Sequence, residues 1–185
     1  MRTLWAGLWL LLVSAPAAPA ADAVVPAMEE ALLQAAPKIL KFCQDKGHRN
    51  IAVLKFQISL DGKDYRDDAG TMGLNFCERL EQALLMQIQS RPFGMIRDAN
   101  EIAAELKVRT HLNEKHLPPL FAANYPLYWG LDRVQPDILL SGGLKADPTG
   151  AKLNLKLMGA SKGAKWEEVL QLALRNQPEN SRRSA

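Results

Sequence analysis

The stretch IAVLKFQISL at residues 51–60 limits the fold more than any other segment of the chain. Ala52, Leu54, Phe56, Ile58 and Leu60 fall on one face, while Lys55, Gln57 and Ser59 fall on the other, with Ile51 and Val53 at its start. Period-two alternation of this kind predicts a strand. Upstream, Met28, Leu32, Ala36, Ile39, Leu40 and Cys43 recur at helical spacing. Pro37 either divides that helix or kinks it, and Gly47 is its natural stop. Downstream, Phe76, Cys77, Leu80, Leu84 and Ile88 form the apolar stripe of a helix over about 72–89, with Glu78, Arg79 and Glu81 on its solvent face.

The pattern then alternates again. Phe93 to Arg97 reads as a short strand, and Asp98-Ala99-Asn100-Glu101 as a capping box in which Asp98 accepts from the first free amides of a helix reaching Leu106. PDILLSGGLKA and AKLNLKLMGA form a hairpin about the PTG turn, and Gly142-Gly143 inside it marks a bulge or a close backbone contact. Residues 166–174 fit a helix or a strand; the preceding SKGAK turn favours a third antiparallel strand. The order predicts an α/β (α+β) fold. Its mixed sheet has about four to five strands, with helices packed on it and an antiparallel hairpin or meander at the end.

Residues 1–20 have a different character. Arg2 precedes the apolar run LWAGLWLLLV, and SAPAAPA follows. A cation, a short apolar run and small residues are the three parts of a secretory signal peptide. The run is too short to span a bilayer, which takes about 20 residues. Cleavage is expected after Ala20, with Ala23 as the second choice. The first cysteine after the run is Cys43, too far on for lipid attachment, so no lipoprotein is expected, and no later segment reaches membrane-spanning length. The mature product is one domain over 21–176, with 109–135 as an insertion and 177–185 as a polar tail. Losing Arg2 with the leader takes 23 basic residues to 22, against 20 acidic. That balance, with the cations scattered, excludes a nucleic-acid binder. In an exported chain, Cys43 and Cys77 either form a disulfide or remain two buried thiols on separate helices. A bridge over that span would stabilise by about 3–4 kcal/mol in the loop-entropy model.

Ile51 to Phe56, Phe93 to Arg97 and Asp137 to Gly142 resemble the landmarks of the extracytoplasmic α/β domains related to the curli-secretion protein CsgG and the amino-terminal domain of TolB. Those landmarks are a first strand of the type IAVLPF, a short strand ending near an arginine, and a strand like ADYLLxG opening a hairpin. The chain departs at Lys55, where the family often has proline, and in the 109–135 insertion. The resemblance implies a structural, scaffolding or partner-binding role in the cell envelope and supplies no catalytic residue.

Candidate chemistry is sparse. His111-x-x-Glu114-x-His116 is the one local His/carboxylate cluster. Its histidines are five apart, about 140° around a helix, whereas a zinc pair on one helix uses i and i+4. Asp61, Asp64, Asp67 and Asp68 lack the spacing of a calcium loop and read as an ordinary strand–helix loop. Tyr125, Tyr128 and Trp129 crowd one turn, where they either offer a partner- or glycan-binding platform or cover an open edge or end of the sheet. The expected function is therefore a secreted or periplasmic, non-enzymatic protein that binds or scaffolds a protein or cell-wall component of the envelope. It uses no catalytic residue, cofactor or metal. The alternatives are a metal-dependent hydrolase using His111, Glu114 and His116, and a purely structural subunit of an oligomer. Mass spectrometry of the exported chain is expected to find Ala21 at the amino terminus, with Val24 the secondary product; retention of residues 1–20 would contradict the leader.

Overall fold

The structure is a computed structural model, and it describes residues 24–59, 72–88, 92–108, 112–146 and 152–175. The leader, the acidic loop with Asp61, Asp64, Asp67 and Asp68, His111, the PTG turn and the 177–185 tail lie outside the described residues. The elements run in the order α1 (Val24–Asp45), β1 (Asn50–Val53), β2 (Gln57–Ser59), α2 (Met72–Ile88), β3 (Gly94–Met95), α3 (Ala99–Glu105), a 3-10 turn (Glu114–His116), α4 (Leu117–Ala122), β4 (Tyr125–Pro126), β5 (Arg133–Val134), β6 (Ile138–Ala146), β7 (Lys152–Ser161) and β8 (Glu167–Arg175).

The described strands form a six-stranded mixed sheet in the order β3-β1-β6-β7-β8, with β2 also paired to β6, and a small antiparallel pair β4-β5. The mixed α/β architecture and the terminal meander expected from the apolar pattern are both present. β1 runs parallel to β3 and β6, and β2 runs parallel to β6. β6, β7 and β8 are antiparallel neighbours, so 167–175 is the third strand rather than a helix. α1 is one continuous helix through Pro37, and Gly47 ends it with φ +74°, a conformation open to glycine at no steric cost.

The 51–60 strand is corrected in one respect. It is two strands separated by Leu54–Phe56, and the face changes across the break. Ile51 and Val53 share a core with Phe56 and Ile58, whereas Ala52 and Leu54 belong to the core on the opposite face. A slip of one residue moves every following side chain to the other side of a sheet. Leu54 N–H still reaches Leu140 O of β6 at 2.8 Å, and the following backbone groups turn elsewhere. Lys55 N–H donates to Asn100 Oδ1 at 2.7 Å, Lys55 O accepts from Ser141 Oγ at 2.9 Å, and Phe56 N–H donates to Gly73 O at 3.4 Å. A proline at position 55 would have no N–H for the first of these bonds.

Two cores result. α1 and α2 cover one face through Leu32, Ile39, Leu40, Phe76, Leu80 and Leu84, packed on β1, β3, β6 and β7. α3, α4 and Tyr125 cover the other through Ala99, Ala103, Leu117, Leu120 and Phe121. Cys43 and Cys77 are free buried thiols in the first core. Cys77 points at the sheet, its thiol donating to Val53 O at 3.5 Å, and burial pushes the Cys43 thiol up to about 12.

β6 and β7 lie close at Gly142. A Cβ there would overlap the Lys156 carbonyl and come within 2.9 Å of the Phe56 ring. This is the close backbone contact expected of the Gly142-Gly143 pair, while the register shift of the meander falls elsewhere, between β7 and β8 at Leu157/Met158. Gly142→Ala is expected to destabilise the protein by about 3 kcal/mol, the upper range for overpacking a filled site. Urea unfolding of the variant against wild type measures it; a change below about 0.5 kcal/mol, the size of an ordinary surface substitution, would refute the packing.

Candidate functional site

β1 and β3 are adjacent parallel strands whose onward connections lead to opposite faces, β1 toward α2 and β3 into α3. In α/β sheets such a reversal opens a gap at the carboxyl ends of the strands, where ligands bind. Here side chains of the chain itself meet in that gap. Asn100, in the first turn of α3, accepts from Lys55 N–H and donates through Nδ2 to Cys77 Sγ at 3.3 Å. Cys77 is 3.8 Å from Glu81 Oε1, one turn further along α2. Tyr128 Oη donates to Glu81 Oε2 at 2.7 Å.

Glu81 corrects the sequence reading, which places it on the solvent face of α2. It is 8% exposed. It sits four residues after Cys77 and one after Leu80, at the margin of the apolar stripe, so its spacing carried a signal of burial. Burial pushes the Glu81 carboxyl up to about 7, with Glu101 and Glu78 adding to the rise, while the bonds from Tyr128 and Cys77 oppose it. Burial and the Glu81 charge also raise the Cys77 thiol, so it stays protonated and is a poor nucleophile.

The aromatic turn divides. Tyr125 is fully buried, donates from Oη to Leu120 O at 2.8 Å and plugs the second core, which removes it from any platform. Its bond, with those of Gln135 Nε2 to Ala122 O at 3.1 Å and Arg133 to Asn124 O, satisfies carbonyls at the end of α4 that a helix leaves without partners. Tyr128 and Trp129 are 38% and 46% exposed, and Leu131 is fully exposed. The same segment also covers an edge. Arg97 N–H donates to Pro126 O at 2.8 Å, Tyr128 N–H donates to Met95 O at 3.0 Å, and Ile96 bridges Leu127. Residues 126–128 thus satisfy the outer side of β3, so this part of the turn covers the edge of the sheet.

The expected capping box is absent. Asp98 is left-handed, with φ 60°, and its side chain caps nothing. The chain bends sharply there because Arg97 N–H is held by Pro126, and the Asp98 carboxylate turns to Arg97 Nε at 3.2 Å. Glu114 is exposed and His116 half-buried at the 3-10 turn. Among the described residues no group of three His, Cys, Asp or Glu side chains could hold a metal ion. No helix among them is long and apolar enough to cross a membrane.

A hollow, missed in the sequence, lies at the opposite end of the sheet. His48, Asp137 and Ser161 line a space of about 290 Å³. Ser161 Oγ is 2.9 Å from His48 Nε2, across 113 positions of sequence. Burial lowers the His48 pKa, which favours a neutral ring. Asp137 is engaged otherwise, accepting from the amides of Arg49 at 2.9 Å and Asn50 at 2.8 Å through one oxygen. It clamps the start of β1 to β6.

No family model matches the chain, and no curated protein matches it. The expected kinship with the CsgG and TolB domains therefore rests on the sequence landmarks alone. Among solved structures the chain is similar to the LpoB C-terminal domain from Salmonella enterica, at 12% sequence identity and a TM-score of 0.47, over 77% of this chain and 95% of that one.

Glu81 makes stability pH-dependent. Its proton is held more tightly folded than unfolded, so its contribution is full below about pH 4.5 and is lost as pH rises through about 7. Glu81→Gln is expected to flatten the stability profile between those values and to be relatively more stable above pH 7. Chemical denaturation across that range measures this; an unchanged slope would refute a buried titrating Glu81.

Proposed function

We propose that the protein is an exported, non-enzymatic binding or scaffolding component of the cell envelope, and that its turn at Tyr128–Leu131 engages a protein or cell-wall partner. The observation that carries the reading is the contrast within this turn. Its base is fastened by the Tyr128–Glu81 bond, the Tyr128–Met95 backbone bond and the short β4-β5 pair. Its tip holds Trp129 and Leu131 in solvent. Large apolar side chains displayed on a constrained backbone lose little conformational entropy on binding, and aromatic anchors of this kind dominate interface energies. The leader pattern of residues 1–20 supports export, and the sequence resemblance supports an envelope role.

Trp129→Ala/Leu131→Ser is expected to keep the wild-type melting temperature and to lose envelope partners in pull-downs from a membrane and cell-wall extract. Identical recovery by both proteins, or no recovery by either, would defeat the reading. Tyr128→Phe is expected to weaken capture by roughly threefold to tenfold, because the loss of one hydrogen bond to a buried carboxylate loosens the base of the turn without removing the anchors.

A further inference from the structure

We infer that the surface around Tyr128 and Trp129 takes a cationic polypeptide segment bearing lysine or arginine; this rests on the reading of that turn as a docking surface. Three elements direct carboxylates to this end of the sheet. Glu78 and Glu81 come from α2, Asp98 from the β3–α3 junction and Glu101 from α3. Tyr128 Oη donates to Glu81 Oε2 at 2.7 Å, Glu78 lies one turn before Glu81 on α2, and Glu101 follows Asn100, whose amide reaches Cys77, itself 3.8 Å from Glu81. Glu78, Asp98 and Glu101 are exposed. Among the described residues, Arg97 has its Nε 3.2 Å from Asp98, Arg79 beside Glu78 is held by Glu29, and Lys55 is half-buried.

The exposed tip supplies what the carboxylates do not. Trp129 offers a ring face that attracts ammonium or guanidinium groups. Leu131, fully exposed, offers apolar contact for the methylene stem of such a side chain. Carboxylates beside an aromatic face fit a cationic chain on both counts. An acidic partner is repelled, and a neutral apolar partner leaves the carboxylates to be desolvated without compensation.

The test titrates a flexible lysine-rich peptide, and the same peptide with every lysine acetylated, into the isotope-labelled protein. The lysine form is expected to shift the amides of Arg97, Asp98 and Glu101 and of Tyr128 to Leu131, and to weaken about tenfold when salt screens the charges. The acetylated form is expected to bind at least about tenfold more weakly. Glu78→Gln/Glu101→Gln removes two exposed charges and is expected to lower affinity for the lysine peptide by about the same factor, with an unchanged melting temperature. Equal binding of the two peptides, an unaffected double variant, or shifts confined to other surfaces would overturn the cationic inference. The pull-down with Trp129→Ala/Leu131→Ser stands apart from this outcome. Partners lost with that variant yet captured equally by Glu78→Gln/Glu101→Gln leave the docking turn intact and remove only the charge preference.

Discussion

The backbone between Leu54 and Phe56 is the constraint on which both faces of the sheet depend. Lys55 N–H leaves the β1 ladder and is taken by the Asn100 side chain. The chain thereby slips by one residue, and Phe56 and Ile58 turn to the α1/α2 core while Ala52 and Leu54 serve the other. A buried amide must be satisfied, and leaving one without a partner costs about 1–3 kcal/mol. Asn100 therefore ties α3 to β1 as firmly as any apolar contact could, and its amide nitrogen carries the connection on to Cys77 and α2.

That connection ends at the surface. Cys77 leads to Glu81, Glu81 to Tyr128, and Tyr128 through its backbone to Met95 at the edge of the sheet. The polar chain lies where the topology of a parallel sheet reverses. The side chains that meet there join four elements and hold an exposed aromatic turn at a fixed place. Glu81 is kept at the margin of ionisation by its surroundings, since burial and the nearby Glu78 and Glu101 oppose its charge while the Tyr128 hydroxyl favours it. The sheet thus fixes the base of the turn.

Much of the fold was legible because apolar periodicity is a local property. The spacing of Phe76, Cys77, Leu80 and Leu84 specifies α2, and the alternation of Leu153, Leu155 and Leu157 specifies β7. The errors share one cause. Asp98 has the residue type of a cap, but Pro126, 28 positions further along the chain, holds the amide before it and bends the backbone out of the capping geometry. Tyr125 has the same neighbours in sequence as Tyr128 and Trp129, but an α4 carbonyl and the second core draw it inside. Glu81 shows an α2 spacing at the edge of the stripe, and only the arrival of Tyr128 decides that it is buried with a partner.

By itself the sequence determined the order of the main helices and strands, the β6–β7 hairpin and the stop at Gly47, because each depends on periodicity or on the steric demands of one residue type; it left 166–174 open between helix and strand, and Gly142-Gly143 open between a bulge and a close contact, until the packing chose. Tertiary structure alone decided the slip at Lys55, the pairing of His48 with Ser161, the burial of Glu81 and the division of the aromatic turn into a core plug and an exposed tip. The slip, the His48–Ser161 pairing and the burial of Glu81 depend on hydrogen-bond partners 45 to 113 positions away, and a buried polar group takes whichever partner the packing brings within reach.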